Sequence, residues 1–324
     1  MIPLKEIQAP IEEHIAIFEK KFKGDLKSPV PLLDKITQYI IRRKGKQMRP
    51  MFVFLSANVC GEVNERTYRA ASLIELLHTA TLIHDDVVDD SNMRRGFFSL
   101  NAIWKNKIAV LVGDYLLSRG LLLSLNNDDY DLLKIVSTAV KEMSEGELLQ
   151  IEKARRLDIR EEFYFEIIKK KTASLIASCC ACGAASIGAD ISIIDKMKIF
   201  GEFTGIAFQI KDDLFDYEPG NATGKPNALD IRDRKMTLPL IYVLNNSGLQ
   251  EKRRLINIVK NHSNDPDSVA DLIRQVNEKG GISYAKVKMK EYRDKALSIL
   301  EDFPDNKYRE SLRQLVIFTT ERNK

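Results

Sequence analysis

Apolar residues recur at spacings of three and four along almost the whole chain, and hardly any stretch alternates strictly between apolar and polar. That period belongs to helices rather than strands. It predicts helices over about 4–23, 32–44, 48–60, 65–91, 98–125, 129–150, 160–187, 191–217, 236–246, 249–260, 266–278, 280–301 and 305–321. Asn127-Asp128-Asp129 and Asp265-Pro266-Asp267-Ser268 stand where two of these helices must start, and are read as caps. The marked break is Glu218 to Met236, with two prolines and two glycines. No Gly-, Ser- or Pro-rich linker divides the chain and no repeat of fixed period is visible, so the expectation is an all-α fold in a single domain spanning 1–324.

Composition narrows the function classes. The chain has 324 residues, 44% hydrophobic and 30% charged, enough for a sizeable core and too apolar for general disorder. Lys+Arg is 50 against Asp+Glu 46, a balance without the electrostatic footprint of a nucleic-acid binder. Three of four cysteines crowd at Cys179, Cys180 and Cys182, with no CxxC spacing and no nearby histidine, which argues against zinc. A reduced, cytoplasmic chain is expected. The run Ala177 to Ala185 is small-residued and suits close helix packing. The N-terminus carries early acidic residues and does not read as a signal peptide. No stretch of 18 apolar residues lacks charge, so no transmembrane segment is expected.

The chemistry concentrates in two acidic clusters. His84-Asp85-Asp86-Val87-Val88-Asp89-Asp90 and Lys211-Asp212-Asp213-Leu214-Phe215-Asp216 each lie near the C-terminal end of a predicted helix. Residues four apart share a helical face, which pairs Asp85 with Asp89 and Asp212 with Asp216. The helix end already carries partial negative charge, so three carboxylates there call for a cation. Hard oxygen ligands suit Mg2+, which is usually held through one or two carboxylates plus substrate phosphates. Four chain reversals separate the two helices, so antiparallel neighbours would aim both acidic ends at one mouth. A lone cluster would read as a solvated helix end; two at matching ends do not. Asp128, Asp129 and Asp131 lie at a helix start instead, where capping is the simpler reading.

Cations accompany these clusters. Lys46 and Arg49 open a helix, Arg94-Arg95 follow the first cluster, Lys171-Thr172 interrupt an amphipathic run, and Lys225 and Lys235 follow the second cluster. Guanidinium groups fork two phosphate oxygens. Each cation alone would read as surface charge; Arg322 could reach the mouth, but surface exposure is the simpler reading.

The segments GKQMRP, LIHDDVVDDSNMRRG, KT, FQIKDDLFD and GKPNALDIRDRKMTLPL resemble, in order and spacing, the motif set of the trans-type polyprenyl diphosphate synthases, from about Lys44 to Leu240. The resemblance implies an isoprenoid synthase helical bundle around a central catalytic cavity, usually as a homodimer. It implies head-to-tail addition of isopentenyl diphosphate to an allylic diphosphate. Asp85, Asp86 and Asp89 would hold two Mg2+ and Asp212 a third, supported by Asp213 and Asp216, with Mn2+ as a substitute. Asp85, Asp86, Asp89, Lys171, Asp212 and Asp213 would be catalytic. Lys46, Arg49, His78 and Arg95 would hold isopentenyl diphosphate. Arg94, Lys171, Thr172, Gln209, Lys225 and Lys235 would serve the allylic diphosphate. The chain departs from the pattern in a short segment after Asp216 and in Arg234, which stands where the family usually has glycine.

Leu77, Ala80 and Thr81 lie on the helix face below the first cluster and would line the tunnel that sets product length. Bulky aromatics at the last two positions shorten products in the family; here both are small. Leu116, Leu117, Leu121 and Leu122 would face them. The helix gives roughly 30 Å of wall at 1.5 Å per residue, and by analogy with long-chain members the tail is expected to hold about seven to nine isoprene units, octaprenyl favoured, for a quinone side chain. Segment 217–235 would be a lid, and Phe208 and Phe215 core residues. A greasy product would suit peripheral membrane contact. The competing readings are a geranylgeranyl or farnesyl diphosphate synthase, a regulatory subunit on the same scaffold, and a class I terpene cyclase. A cyclase would not need Lys46, Arg49 or the second cluster.

Overall fold

The computed structural model describes residues 2–42, 45–94, 96–156, 160–218 and 228–322. Its first half contains α1 (Leu4–Gln8), α2 (Glu12–Asp25), α3 (Pro31–Arg42), α4 (Met48–Cys60), α5 (Glu65–Val88), α6 (Leu100–Leu125) and α7 (Tyr130–Arg156). Then come α8 (Glu161–Ile168), α9 (Ser174–Ser186), α10 (Ile191–Leu214), α11 (Leu229–Arg232) and α12 (Leu238–Asn245). The chain closes with α13 (Leu249–Asn261), α14 (Pro266–Glu278), α15 (Gly281–Leu300) and α16 (Lys307–Glu321). The all-α expectation holds. Among the described residues the exception is a two-residue hairpin between α5 and α6, β1 (Met93–Arg94) on β2 (Phe97–Phe98), with Met93 opposite Phe98.

Local chemistry explains where predicted helices are cut. Pro10 sits in a 3-10 turn, Ala9–Ile11, that separates α1 from α2, because proline lacks the N–H that a helix interior needs. The predicted 160–187 helix is interrupted by a π-type turn, Lys169–Ala173. α10 stops at Leu214 and tightens into a 3-10 turn, Phe215–Tyr217. α5 opens on a capping box: the Asn64 carboxamide oxygen accepts from Thr67 N at 3.2 Å, and Thr67 Oγ1 accepts from Asn64 N at 3.3 Å. Asp265 caps α14 as predicted, accepting from Ser268 N at 3.1 Å.

The small-residue run does permit close packing. A Cβ added to Gly183 of α9 would fall 2.5 Å from the Val53 carbonyl oxygen of α4. Gly201 and Gly205 of α10 lie equally tightly against Ala177 and Ala173. All four cysteines are free thiols. Burial pushes the Cys180 thiol up to about 12, so it stays protonated and acts as a small apolar group.

These contacts also fix direction. Ala173 meets Gly205 and Ala177 meets Gly201, so α9 and α10 are antiparallel. Ser186, at the end of α9, bonds Thr67 Oγ1 at 2.8 Å, and its carbonyl accepts from Asn64 at 3.2 Å. α5 therefore begins where α9 ends. α5 and α10 run the same way, and both acidic C-terminal ends lie at the α9 N-terminus. α4 opposes α5, since Arg49 pairs with Glu75 and the Phe54 ring meets Tyr68 at a tilt, 5.4 Å between centroids. Its Lys46–Arg49 end reaches the same mouth. Among the described residues, buried apolar side chains form two clusters, and α10 enters both: Met197 and Phe200 in one, Ile206, Ala207, Ile210 and Leu214 in the other.

α6 corrects one expectation. Leu116 is buried, but Leu121 and Leu122 face solvent at 36% and 48% exposure and do not oppose α5. α5 meets α6 at Gly113, under His84, and at Gly120, under Leu77. α6 is also long and apolar enough, by length and composition, to cross a membrane.

Asp129 is not the cap that the sequence suggests. Its carboxylate, 2% exposed, accepts from Arg66 Nε at 2.9 Å and Arg69 Nε at 2.5 Å, and Asp131 also pairs with Arg66. The start of α7 is thereby stapled to the start of α5. Breaking a buried pair from one side strands the other charges, at about 3 kcal/mol. Asp129→Ala is expected to lose about that much in urea unfolding, whereas Asp131→Asn, at the exposed edge, is expected to lose less than about 1 kcal/mol.

Candidate active site

The mouth is built from helix ends, and each end is shaped by its own sequence. α5 terminates through Asp90 in the left-handed region (φ 48°), with Ser91 N donating to the Asp86 carbonyl at 2.9 Å. This closure satisfies carbonyls that the last turn would leave open. Asp85 and Asp89 are exposed and Asp86 is buried, as their shared face predicts. Asn101 donates to the Asp86 carbonyl at 3.2 Å, tying α6 to the same turn.

The second cluster is split. Asp216 lies in the 3-10 turn rather than on α10, so Asp212 and Asp216 do not share a helical face as expected. The Asp216 carboxylate accepts the backbone N–H of Asp230 on α11. The Asp212 carboxylate accepts from Arg322 beyond α16. Arg322 is thus not the exposed residue that the sequence suggests: its side chain is 16% exposed. Its guanidinium lies 4.4 Å from the Phe208 ring and 5.7 Å from the Phe215 ring. Phe208 and Phe215 accordingly face cations, with Lys211 4.5 Å from the latter ring.

Asp213 is buried and takes two donors: Tyr164 Oη at 2.7 Å and Gln209 Nε2 at 2.8 Å. Thr172 Oγ1 donates to Gln209 Oε1 at 2.7 Å, so a chain of hydrogen bonds links the π turn to the acidic cluster. A cavity of about 110 Å³ opens here, lined by Lys171, Thr172, Gln209, Asp213, Asp230 and Lys235 among others. It unites four residues that the sequence reading placed together. Lys171 pairs with Glu147 and donates to Gln150 at 3.4 Å. The π turn that aims Lys171 is seated by Gly146, where a Cβ would fall 2.9 Å from Lys171 N. π turns inside helices often mark functional positions.

Lys235 binds Asp230 at 3.2 Å and Asp233 at 3.0 Å. Lys235 N closes on the Asp230 carbonyl at 2.7 Å around Arg234, whose φ is 59°. Glycine adopts that backbone without cost, which explains physically why glycine suits the position.

On the far side, Arg49 Nε donates to Glu75 Oε1 at 2.7 Å, and Lys46 lies 5.5 Å from the Phe318 ring of α16. His78 is buried on α5. Arg95, Lys225 and the Arg94 side chain lie outside the described residues, as does the middle of the expected lid, 219–227. Leu77 and Ala80 are buried and Thr81 is half-buried, its Oγ1 donating to the His78 carbonyl at 2.8 Å. Sequence reasoning missed Tyr164, Glu147, Gln150 and Asp230. Of these, Asp230 carried a signal, as an acidic residue five before Lys235.

Among the described residues no three acidic, histidine or cysteine side chains converge into a ready-made metal centre. The donor set still fits a hard dication. Carboxylates close two helices that run the same way, and Asp212 already accepts a cation in Arg322.

Burial, with Asp230 nearby, raises Asp213 to about 7 from 3.8. The native protein then holds a proton that the unfolded chain releases, so this contribution is full below pH 4 and fades as pH rises through 7. In metal-free buffer the wild type is expected to lose stability relative to Asp213→Asn across that window. Parallel urea curves from pH 4 to 8 check this.

The chain matches the model of the polyprenyl synthetase family over residues 30–276. It is 34% identical over 320 residues to all-trans-nonaprenyl-diphosphate synthase (geranyl-diphosphate specific) of Rhodobacter capsulatus, covering 98% of each chain. It is 34% identical to octaprenyl diphosphate synthase of Escherichia coli over 92% of this chain and 93% of that one. To heptaprenyl diphosphate synthase component 2 of Geobacillus stearothermophilus the identity is 30%, over 99% of each. Among solved structures, a decaprenyl diphosphate synthase from Rhodobacter capsulatus superposes with TM-score 0.92 at 30% identity, covering 98% of this chain and 99% of that one. A polyprenyl synthase from Caulobacter crescentus, complexed with calcium and isoprenyl diphosphate, gives 0.89 at 30% identity over 99% and 98%. A geranylgeranyl pyrophosphate synthase from Bacteroides thetaiotaomicron gives 0.82 at 36% over 98% of each.

Proposed function

Since this chain belongs to the polyprenyl synthetase family, we propose that it is the catalytic protein that builds a long all-trans polyprenyl diphosphate from isopentenyl diphosphate and an allylic diphosphate. The observation that carries this reading is that two helices running the same way each end in an acidic cluster, the second of them beside Lys171 and Thr172. A cyclase or a purely regulatory subunit would not call for both ends.

Asp85, Asp86 and Asp89 on one side and Asp212 on the other would hold Mg2+ against the allylic diphosphate. The charge that builds on the departing diphosphate is what that metal neutralises when bound. Lys171 and Lys235 add fixed positive charge on the cavity wall, where burial strengthens it. Thr172 and Gln209 hold the wall in register with Asp213. Lys46 and Arg49, at the start of α4, would hold isopentenyl diphosphate across the mouth. Arg49 is aimed by Glu75. The buried apolar faces of α5 and α10 behind the mouth keep water from the allylic cation.

For product length, the relatives named for heptaprenyl, octaprenyl and nonaprenyl products support a long tail, and we favour octaprenyl. Small Ala80 and Thr81 agree with it. The 36% identity to a geranylgeranyl pyrophosphate synthase keeps a shorter product as the second reading. Purified protein given labelled isopentenyl diphosphate, an allylic diphosphate and Mg2+ is expected to make chiefly heptaprenyl to nonaprenyl chains, and none with EDTA. Mainly geranylgeranyl product would select the second reading. Thr81→Phe, at a half-buried position that tolerates volume better than Ala80, is expected to shorten the product while turnover persists.

Leu111, Leu122 and Leu125 of α6 are exposed, as are Phe97 and Phe98 of β2. An apolar surface of that extent suits a partner, and we read it as the face on which two copies associate. Sedimentation is expected to give twice the chain mass, and Leu111→Asp to give the single mass.

A further inference from the structure

The carboxylates of the second cluster are held in different ways. Asp213 is fixed by two neutral donors, Tyr164 and Gln209. Neither competes with a metal ion for charge. Asp212 is met by a guanidinium instead. That guanidinium comes from Arg322, the residue that leaves α16 (φ −56°, ψ 140°), 110 positions further along the chain. It has a second hold, the Phe208 ring at 4.4 Å, so it can part from the carboxylate without leaving the mouth. Four residues back on the same helix, Phe318 lies under Lys46 at 5.5 Å. One turn of α16 therefore joins the Lys46 end of α4 to the acidic end of α10.

We propose that Arg322 is an exchangeable counter-ion of the second acidic cluster. It neutralises Asp212 while the site lacks metal, and it yields that carboxylate when a divalent cation arrives. The freed guanidinium stays over Phe208, one helical turn from the Lys46 contact, where a diphosphate offers the paired oxygens that suit its fork. The inference rests on the reading of Asp212 as a metal-binding residue. It adds an ordered exchange, in which metal occupancy releases an arginine toward the diphosphate beside Lys46.

The test measures Mn2+ binding to the metal-free, full-length protein without any diphosphate, by electron paramagnetic resonance of the free ion. Wild type, Arg322→Gln, Arg322→Lys and Asp212→Asn are compared, with circular dichroism to confirm folding. Removing a competing ion pair is expected to tighten Mn2+ binding about fivefold to tenfold in Arg322→Gln. Arg322→Lys, which lacks the planar stack, is expected to fall between it and wild type. Asp212→Asn is expected to bind more weakly than wild type. The KM for isopentenyl diphosphate should rise in Arg322→Gln with a smaller change in kcat, which a merely structural contact would not produce. Equal or weaker Mn2+ binding in folded Arg322→Gln overturns the exchange. If that variant does not fold, Mn2+ binding by Arg322→Lys no tighter than wild type overturns it equally. Normal wild-type turnover alongside unchanged affinity would sink this inference and leave the proposed synthase standing. Tighter binding in a protein without turnover would do the reverse.

Discussion

Carboxylates gathered at the carboxyl ends of parallel helices repel one another and repel the helix dipoles behind them. Much of the mouth is arranged around that repulsion. Arg322 meets Asp212, Tyr164 and Gln209 meet Asp213, and the Asp230 backbone meets Asp216. All but Gln209, which lies on α10 itself, come from other parts of the chain. The acidic ends thus act as a hub that draws α8, α11 and the C-terminal segment together. The cost of assembling negative charge is partly offset in the free protein, and a diphosphate with its metals would complete the neutralisation.

That arrangement works only if the two acidic helices point the same way, and here backbone proximity decides. α9 is nearly all small residues, so α4 and α10 approach it at glycine contacts too tight for a Cβ. Interlocked backbones leave little freedom to slide or reverse, because protein interiors are packed as densely as organic crystals. The buried cysteines belong to this packing and not to the chemistry, since burial holds their thiols protonated.

Much of the site was legible because it obeys local rules. The spacing of Asp85 and Asp89 defines a helical face without knowledge of the fold, and the boundaries of α4 and α14 follow apolar period and capping. What escaped depends on distant contacts. Arg322 looks like any terminal arginine until α16 lays it across Phe208. The π turn at Lys171 arises where Gly146 of α7 admits the backbone of the neighbouring segment. Asp129 has the sequence of a cap, but two arginines on α5 offer its carboxylate a stronger interaction than a backbone N–H does. α11 is only four residues long, below the length at which periodicity carries information. The pairing of Asp212 with Asp216 failed for a related reason: the helix tightens between them, and a 3-10 turn does not preserve a 3.6-residue face.

The differing fates of the three carboxylates suggest how the cluster divides its work. A buried carboxyl held by a phenol and a carboxamide is fixed in direction, and burial keeps its proton affinity high although both hydrogen bonds oppose it. Such a group is better suited to hold Gln209 and Thr172 in place than to surrender both oxygens to a metal. A carboxylate paired with an arginine is a different case. Burial raises its proton affinity too, but the Arg322 guanidinium works against that rise, the side chain is 37% exposed, and its partner has another surface to rest on. Identical side chains in one short motif thus acquire different chemistry from their neighbours alone. On the proposed reading, Asp212 would be the oxygen donor most readily transferred to an incoming cation, and Asp213 the pin that keeps the wall of the cavity still.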